Sequence, residues 1–76
     1  MAAIGILGAG GRMGQTLVAL IADSKAHTLA AAVVHPDSAL LGGYAGVMVG
    51  HDTLDVAITE DAAAAATRAD VLIDFT

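Results

Sequence analysis

The stretch Gly8-Ala9-Gly10-Gly11-Arg12-Met13-Gly14 decides the fold. It follows directly on the apolar residues 4–7 and leads into the helical pattern of residues 15–22. A chain that turns sharply out of a strand and brings its backbone N–H groups close to a phosphate leaves little room for side chains, which favours glycine. The helix behind such a loop offers unpaired donors and a partial positive charge to phosphate oxygens. The stretch therefore predicts a strand, a glycine loop and a helix that bind a pyrophosphate.

The glycine spacing differs from the usual dinucleotide fingerprint, G-x-G-x-x-G. Starting at Gly8 the loop has the pattern G-x-x-G-x-x-G, with Gly10 as an additional glycine. We expect Gly8 to form the turn out of the strand, and Gly10 and Gly11 to let the backbone approach phosphate. Gly14 is expected to allow close packing of the first helical turn. A tight structural turn would need one glycine, whereas this loop has four in seven residues.

Composition argues against several other classes of protein. Three Lys and Arg against eight Asp and Glu give a formal charge of -5, the wrong sign for a nucleic-acid surface. No apolar run has the length of a membrane span and no basic signal-peptide flank precedes the first strand, which fits a cytoplasmic protein. The chain has no cysteine, and its three histidines are scattered without metal-ligand spacing. Because 57% hydrophobic residues is a high fraction for 76 residues, we expect further chain to cover part of this surface.

The remaining sequence alternates between strand and helix patterns. Strands are predicted over residues 3–7, 29–34, 55–58 and 71–75, the second and fourth of them buried, and helices over residues 12–23 and 61–67. The first helix is expected to bury Met13, Leu17, Leu20 and Ile21. Thr59-Glu60-Asp61 predicts an N-cap and an acidic first turn for the second helix. Residues 36–53 are interpreted as a glycine-rich loop with room for a short turn.

Right-handed crossovers between parallel strands favour the strand order 3-2-1-4. The winding direction then reverses between strands 1 and 4, so a ligand crevice is expected outside their carboxyl ends, with the glycine loop and Phe75-Thr76 at its mouth. The predicted fold class is α/β: a Rossmann-like parallel sheet that forms an incomplete half of a dinucleotide-binding domain.

Three stretches together resemble one enzyme family: the glycine loop, Ser38-Ala39-Leu40-Leu41-Gly42 with Ala45-Gly46 after it, and Ile73-Asp74-Phe75-Thr76. They are similar to the N-terminal part of dihydrodipicolinate reductase, over essentially all 76 residues. The resemblance implies a homotetrameric NAD(P)H-dependent reductase of diaminopimelate and lysine biosynthesis, of which residues 1–76 form the first part of the cofactor domain. Nothing here resembles the histidine- and lysine-rich substrate motif of the family, so no catalytic residue is assigned and this chain alone is expected not to catalyse.

The resemblance and the loop together give the expected cofactor-binding residues: Gly8, Gly10, Gly11, Arg12, Met13, Gly14, His35, Phe75 and Thr76. Arg12 is expected to contact the phosphate or ribose region; the alternative is an arginine directed into solvent. The side chain of Met13 is more readily explained as part of the helix core than as a ligand contact, and its backbone N–H is the group that can face the pyrophosphate. Phe75 is equally well explained as a plain buried residue.

The end of the second strand bears on the choice between NADH and NADPH, because an acid there accepts from the ribose 2′-OH and repels a 2′-phosphate. This sequence has Val34-His35-Pro36 and no acid before Asp37. His35, helped by Ser38, can donate to a 2′-phosphate, which favours NADPH and leaves NADH open; alternatively His35 is a polar strand end. Two other functions also stay open: the half-domain of another dehydrogenase, for a semialdehyde or homoserine, and a non-catalytic nucleotide-sensing module.

Overall fold

The computed structural model describes residues 2–50 and 56–75. Four strands and three helices follow one another in these residues: β1 (Ala2–Leu7), α1 (Arg12–Asp23), β2 (His27–Val33), α2 (Ala45–Val49), β3 (Ile58–Thr59), α3 (Ala62–Arg68) and β4 (Val71–Asp74). The strands pair in parallel in the order β3-β2-β1-β4. The predicted α/β class and strand order are confirmed.

Helices cover both faces of the sheet. On one face, α1 and α2 contribute Val18, Ile21 and Ala45 to the larger core cluster. On the other face, Ala65 of α3 packs in a smaller cluster with Ala31 and Val33. Successive residues from 31 to 34 alternate between the two clusters, as the two-residue period of a strand requires. The end of β2 is therefore buried on both sides, as its continuous apolar run predicts.

The buried face of α1 differs from the predicted one. Gly14, Val18 and Ile21 are buried, whereas Met13 and Leu20 are 63% and 61% exposed. A Cβ at Gly14 would overlap the carbonyl oxygen of Gly8, so the helix begins in direct backbone contact with the glycine loop. This close approach turns the row formed by positions 14, 18 and 21 toward the sheet, and the prediction that Met13 and Leu20 are buried is wrong.

The interpretation of residues 36–53 as a loop is wrong in part, because α2 lies within it. The helix begins after Tyr44, whose backbone forms an isolated antiparallel bridge with Ala57. The N–H of Ala45 donates to the carbonyl of Val56 at 2.7 Å. Gly50 ends the helix in the left-handed region with φ of 79°. A helix of five residues is not stable alone, so these contacts with the chain before β3 are what specify it.

The boundaries around α3 also differ from the predicted ones. The N-cap is Asp61, whose Oδ1 accepts from the N–H of Ala64 at 2.9 Å, and the first turn contains no acid. Asp61 belongs to the stretch Thr59-Glu60-Asp61, so the N-cap predicted there is confirmed, whereas the predicted acidic first turn is wrong. Thr59 lies at the end of β3, and its Oγ1 accepts from the N–H of Asp61. The predicted third strand began at Asp55, which lies outside the described residues.

Within the described residues, β4 lies at one edge of the sheet and is largely exposed. Its side chains at Val71 and Leu72 are 48% and 38% exposed, and Phe75, just after the strand, is 40% exposed. Among the described strands it pairs only with β1, and Leu72 lies against position 5 of that strand. The burial predicted for the fourth strand is therefore not found within the described residues, where only β1 pairs with it.

Candidate functional site

The glycine loop crosses from β1 to α1 at the carboxyl edge of the sheet. Gly8 has φ of 82°, a conformation that side chains other than glycine rarely adopt. The N–H groups of Gly8 and Ala9 both donate to the carbonyl of Val33, at 2.9 and 3.0 Å. The N–H of Gly11 donates back to the carbonyl of Gly8 at 3.2 Å. The loop is thus held against the end of β2, and the turn expected at Gly8 is confirmed.

The start of α1 presents unpaired backbone donors. Gly11 is the N-cap and has no side chain that could accept from the first turn. Within residues 2–50 and 56–75, the N–H groups of Gly10, Arg12 and Met13 have no acceptor. Three N–H groups at the positive end of a helix dipole form an environment that favours an anion.

The three glycines after Ala9 differ in how much space the fold leaves for a side chain. Gly14 is required by packing, since its Cβ would overlap backbone atoms of Gly8. At Gly10 a Cβ would lie 3.3 Å from Leu40 Cδ1 and 3.4 Å from Val34 Cγ1, a tight fit. At Gly11 a Cβ would meet only the Gly8 carbonyl oxygen, at an ordinary 3.6 Å. Because packing does not require glycine at position 11, this position is free to admit a ligand close to the backbone.

A cleft of about 420 Å³ lies beside this loop. Its walls come from the ends of β1 and β2, the segment after β2, the start of α3 and the end of β4; the lining residues are Leu7, Gly8, Gly10, Gly11, Val33, Val34, His35, Ser38, Ala62 and Phe75. Small-molecule sites have volumes of about 300–1,000 Å³ and walls that are mostly apolar, with a few polar groups. The cleft lies outside the carboxyl ends of β1 and β4, where the sheet reverses its winding, as predicted.

Two polar side chains line the cleft after β2. His35 Nδ1 accepts from the N–H of Asp37 at 3.3 Å, so the neutral ring has its proton on Nε2 and can donate through it. Asp37 Oδ2 lies 3.6 Å from the same Nδ1, and both side chains are largely exposed. Ser38 Oγ accepts from the N–H of Leu40 at 3.2 Å, which leaves its hydroxyl proton available. Among the described lining residues, two side chains are donors and none is a carboxylate.

Val34, which precedes His35, is part of the protein interior. It is 5% exposed, belongs to the larger core cluster, and its N–H donates to the carbonyl of Thr59 at 2.9 Å. One part of its side chain still contributes to the cleft wall. An acid at position 34 would therefore have to be accommodated partly in the core, whereas position 35 is open to solvent.

Comparison with known proteins decides the family. The family model described as dihydrodipicolinate reductase, N-terminus, matches residues 2–76. The chain belongs to this family. Three relatives named 4-hydroxy-tetrahydrodipicolinate reductase are similar to it: one from Allorhizobium ampelinum is 46% identical over 71 residues, one from Saccharophagus degradans 44% over 73, and one from Acinetobacter baumannii 45% over 73.

The alignments cover nearly the whole chain but a small part of each relative. They include 93% of this chain for the first of these relatives and 96% for the other two. The corresponding shares of the relatives are 26%, 27% and 26%. The chain therefore spans about a quarter of the length of the dihydrodipicolinate reductase family members it matches. The resemblance inferred from the sequence is confirmed, and the alternative of another dehydrogenase family is not supported.

The structure brings together most of the residues predicted for the cofactor site. Gly8, Gly10, Gly11, His35 and Phe75 line one cleft, and Gly14 packs directly beneath the loop. The side chains of Arg12 and Met13 are exposed at the start of α1 and do not line the cleft. The expectation that the Met13 side chain belongs to the helix core is wrong, and Arg12 has no ion pair in the described part of the chain. Thr76 lies outside the described residues.

Sequence reasoning missed three apolar lining residues, Leu7, Val33 and Ala62. The first two end their strands, so the rule that ligands bind beyond the carboxyl ends of parallel strands could have identified them. Ala62 belongs to an alanine run with no distinguishing neighbour, and only the path of α3 over the sheet brings it to the cleft. Sequence provided no signal for this third contact.

The described residues offer neither a membrane span nor a metal site. In residues 2–50 and 56–75 no helix has both the length and the apolar character needed to cross a membrane. In the same ranges no three His, Cys, Asp or Glu side chains lie close enough together to bind a metal ion.

Proposed function

We propose that this chain forms the N-terminal part of the cofactor-binding domain of a 4-hydroxy-tetrahydrodipicolinate reductase. The domain binds NADPH or NADH through Gly8, Gly10, Gly11, Arg12, Met13, Gly14, His35, Phe75 and Thr76. The complete protein would act as a cytoplasmic homotetramer that transfers hydride in diaminopimelate and lysine biosynthesis. Membership of the dihydrodipicolinate reductase family and the shared name of the relatives support this proposal.

The observation that carries the proposal is the free backbone at the glycine loop. Three unpaired N–H groups, of Gly10, Arg12 and Met13, lie around position 11, where a side chain is absent although the fold has room for one. Such a set of free donors at a helix start fits the pyrophosphate of a dinucleotide. The exposed guanidinium of Arg12 is one residue away and can add charge-assisted hydrogen bonds to the same phosphates.

The rest of the cleft suits the other parts of a dinucleotide. Leu7, Val33 and Phe75 give apolar walls on either side of the loop, which fit flat aromatic rings. The bound cofactor would supply the hydride, while these residues orient it and exclude water from it. His35 Nε2 and the Ser38 hydroxyl are donors at the β2 end of the cleft, where a ribose 2′-phosphate needs donors. This favours NADPH, and NADH remains acceptable because the loop contacts are common to both.

Calorimetric titration of NADPH and NADH into the complete protein tests the proposal, with His35→Ala as the variant. The matched control is His27→Ala, because His27 is an exposed histidine at the opposite, amino end of β2. We expect His35→Ala to weaken NADPH by on the order of 1–2 kcal/mol, roughly 5- to 30-fold, and to leave NADH nearly unchanged.

The titrations distinguish failure of the proposed function from failure of the role assigned to His35. If neither cofactor binds to the wild-type protein, the proposed function is wrong and a nucleotide-independent module is the better description. If both bind and His35→Ala changes both affinities equally, the function stands but the residue that selects NADPH is not His35. His27→Ala should change neither affinity.

A further inference from the structure

Leu40 belongs to the segment that follows β2, and its side chain lies beside the glycine loop. Its Cδ1 is 3.3 Å from the place where a Cβ would be at Gly10, and Ser38 Oγ is 3.8 Å from the same point. The Leu40 side chain is half-buried and packs against the larger core cluster. Its backbone N–H donates to Ser38 Oγ at 3.2 Å. One leucine therefore contacts the loop, the core and a donor of the cleft.

The segment before Leu40 is largely exposed. His35, Pro36 and Asp37 are exposed, and the N–H of Ser38 donates to the carbonyl of His35 at 2.9 Å. This turn fixes His35 and Ser38 relative to each other. The position of the turn relative to the glycine loop then depends on the residue that anchors the segment after Ser38. That residue is Leu40.

A second set of bonds holds the segment further downstream. The N–H of Gly42 donates to the carbonyl of Ile58 at 3.2 Å, and the N–H of Ile58 donates to the carbonyl of Gly43 at 2.8 Å. These bonds fix the segment to β3, on the side away from the glycine loop. Val34, whose Cγ1 lies 3.4 Å from the same Cβ position in the glycine loop, holds the upstream end of the turn beside the loop, and Leu40 is the side chain that holds its downstream end there.

We infer that Leu40 is a positioning residue for cofactor choice: its contact with Gly10 places His35 and Ser38 so that both can reach a 2′-phosphate while the pyrophosphate lies on the loop. This inference rests on the proposed function. Leu40 itself touches no part of the 2′-phosphate in this arrangement. Loss of its side chain lets the turn at 35–38 move away, which weakens the contact unique to NADPH and leaves the pyrophosphate contacts common to both cofactors.

The test measures the affinities of NADPH and NADH by calorimetry on the complete protein with Leu40→Ala. Leu41→Ala is the matched control, since Leu41 is the next residue, is exposed and does not line the cleft. We expect Leu40→Ala to lower the NADPH affinity about fivefold, as for one lost hydrogen bond, and to leave NADH unchanged. Leu40→Met keeps the volume of the side chain and should keep the ratio of NADPH to NADH affinity of the wild-type protein.

A second variant tests the contact itself. A Cβ introduced by Gly10→Ala presses on Leu40 Cδ1, so it should lower the NADPH/NADH affinity ratio in the wild-type background. In the Leu40→Ala background that contact is absent, and Gly10→Ala should no longer change the ratio. A double-mutant cycle measures this coupling directly.

Several outcomes overturn the inference without touching the proposed function. One is an unchanged ratio in Leu40→Ala, with the wild-type protein binding both cofactors. Another is an equal loss of affinity for NADPH and NADH in Leu40→Ala, which would mean that Leu40 only stabilises the fold. A third is the same effect of Gly10→Ala, or none, in both backgrounds. Failure of the wild-type protein to bind either cofactor would instead contradict the proposed function. Thermal melts of each variant confirm that folded protein is being titrated.

Discussion

The backbone contact between α1 and the glycine loop predicts an unusual sign for a glycine-to-alanine change in a helix. Replacing glycine by alanine inside a helix normally stabilises it by about 1 kcal/mol. At Gly14, however, the new Cβ would overlap the carbonyl oxygen of Gly8 and lie 2.7 Å from Ala9 Cα and 2.9 Å from the carbonyl carbon of Gly8. All three neighbours are backbone atoms, so no side chain can rotate away.

The magnitude follows from the balance of two terms. Overpacking in a well-packed region costs about 1–3 kcal/mol, and contact with a fixed backbone belongs at the upper end of that range. After the gain in helix propensity is subtracted, we expect Gly14→Ala to lower the free energy of unfolding by about 2 kcal/mol. Gly8 must also move from its left-handed conformation to relieve the overlap, which disturbs its bond to Val33.

Gly11→Ala is the matched control, three residues away in the same loop. Its Cβ meets only one atom, at 3.6 Å, and the φ and ψ of Gly11, -78° and 172°, are accessible to alanine. A poorer N-cap costs roughly 0.5–1 kcal/mol, and the lower entropy of the unfolded chain returns about 0.4–1 kcal/mol, so the net change is near zero. Urea and thermal unfolding of both variants measure the difference. Equal stability of the two would refute the close contact between α1 and Gly8.

Three further changes have distinct expected outcomes. Asp61→Ala removes the cap bond to Ala64 and should cost about 1 kcal/mol in unfolding free energy, whereas Asp61→Asn should keep most of it. Val34→Glu places a carboxyl in the core and should lower the free energy of unfolding by about 1–3 kcal/mol. His35→Glu, at the exposed neighbouring position, should leave the melting temperature unchanged and shift the cofactor preference measured by titration toward NADH. Residues 1–76 expressed alone should self-associate through the exposed side chains and edge of β4; a monomer in sedimentation with a cooperative melt would contradict this.

The parts of the fold that local signals specify were predicted well. The bounds of α1, Arg12–Asp23, match the prediction because the glycine loop marks its start and the apolar period defines its length. The strand order followed from the handedness of crossovers, which does not depend on side chains. α2 was missed because five residues have too little intrinsic helix tendency, and its bonds to the chain before β3 are visible only in three dimensions.

The candidate site divides in a similar way. The roles of Gly8 and Gly14 could be predicted from the sequence, because glycine readily adopts the positive φ of Gly8 and has no Cβ to overlap the backbone at Gly14. The burial of Val34 followed from the continuous apolar run of β2, whereas the place of Ala62 in the cleft wall has no signal in the sequence. The role of Leu40 depends on a contact across 30 residues of chain, to Gly10, which no local pattern encodes.

The central claim is that the backbone around Gly11 binds the pyrophosphate of a nicotinamide dinucleotide. Calorimetry with NADPH and NADH on the complete protein and its Gly11→Val variant tests it most directly, because a side chain at this position has room within the fold but would occupy the place of the ligand. We expect an almost unchanged melting temperature and a loss of affinity of at least about tenfold, about 1.4 kcal/mol, for both cofactors alike. Unchanged affinity in a folded Gly11→Val protein would contradict the claim and remove the glycine loop from the site.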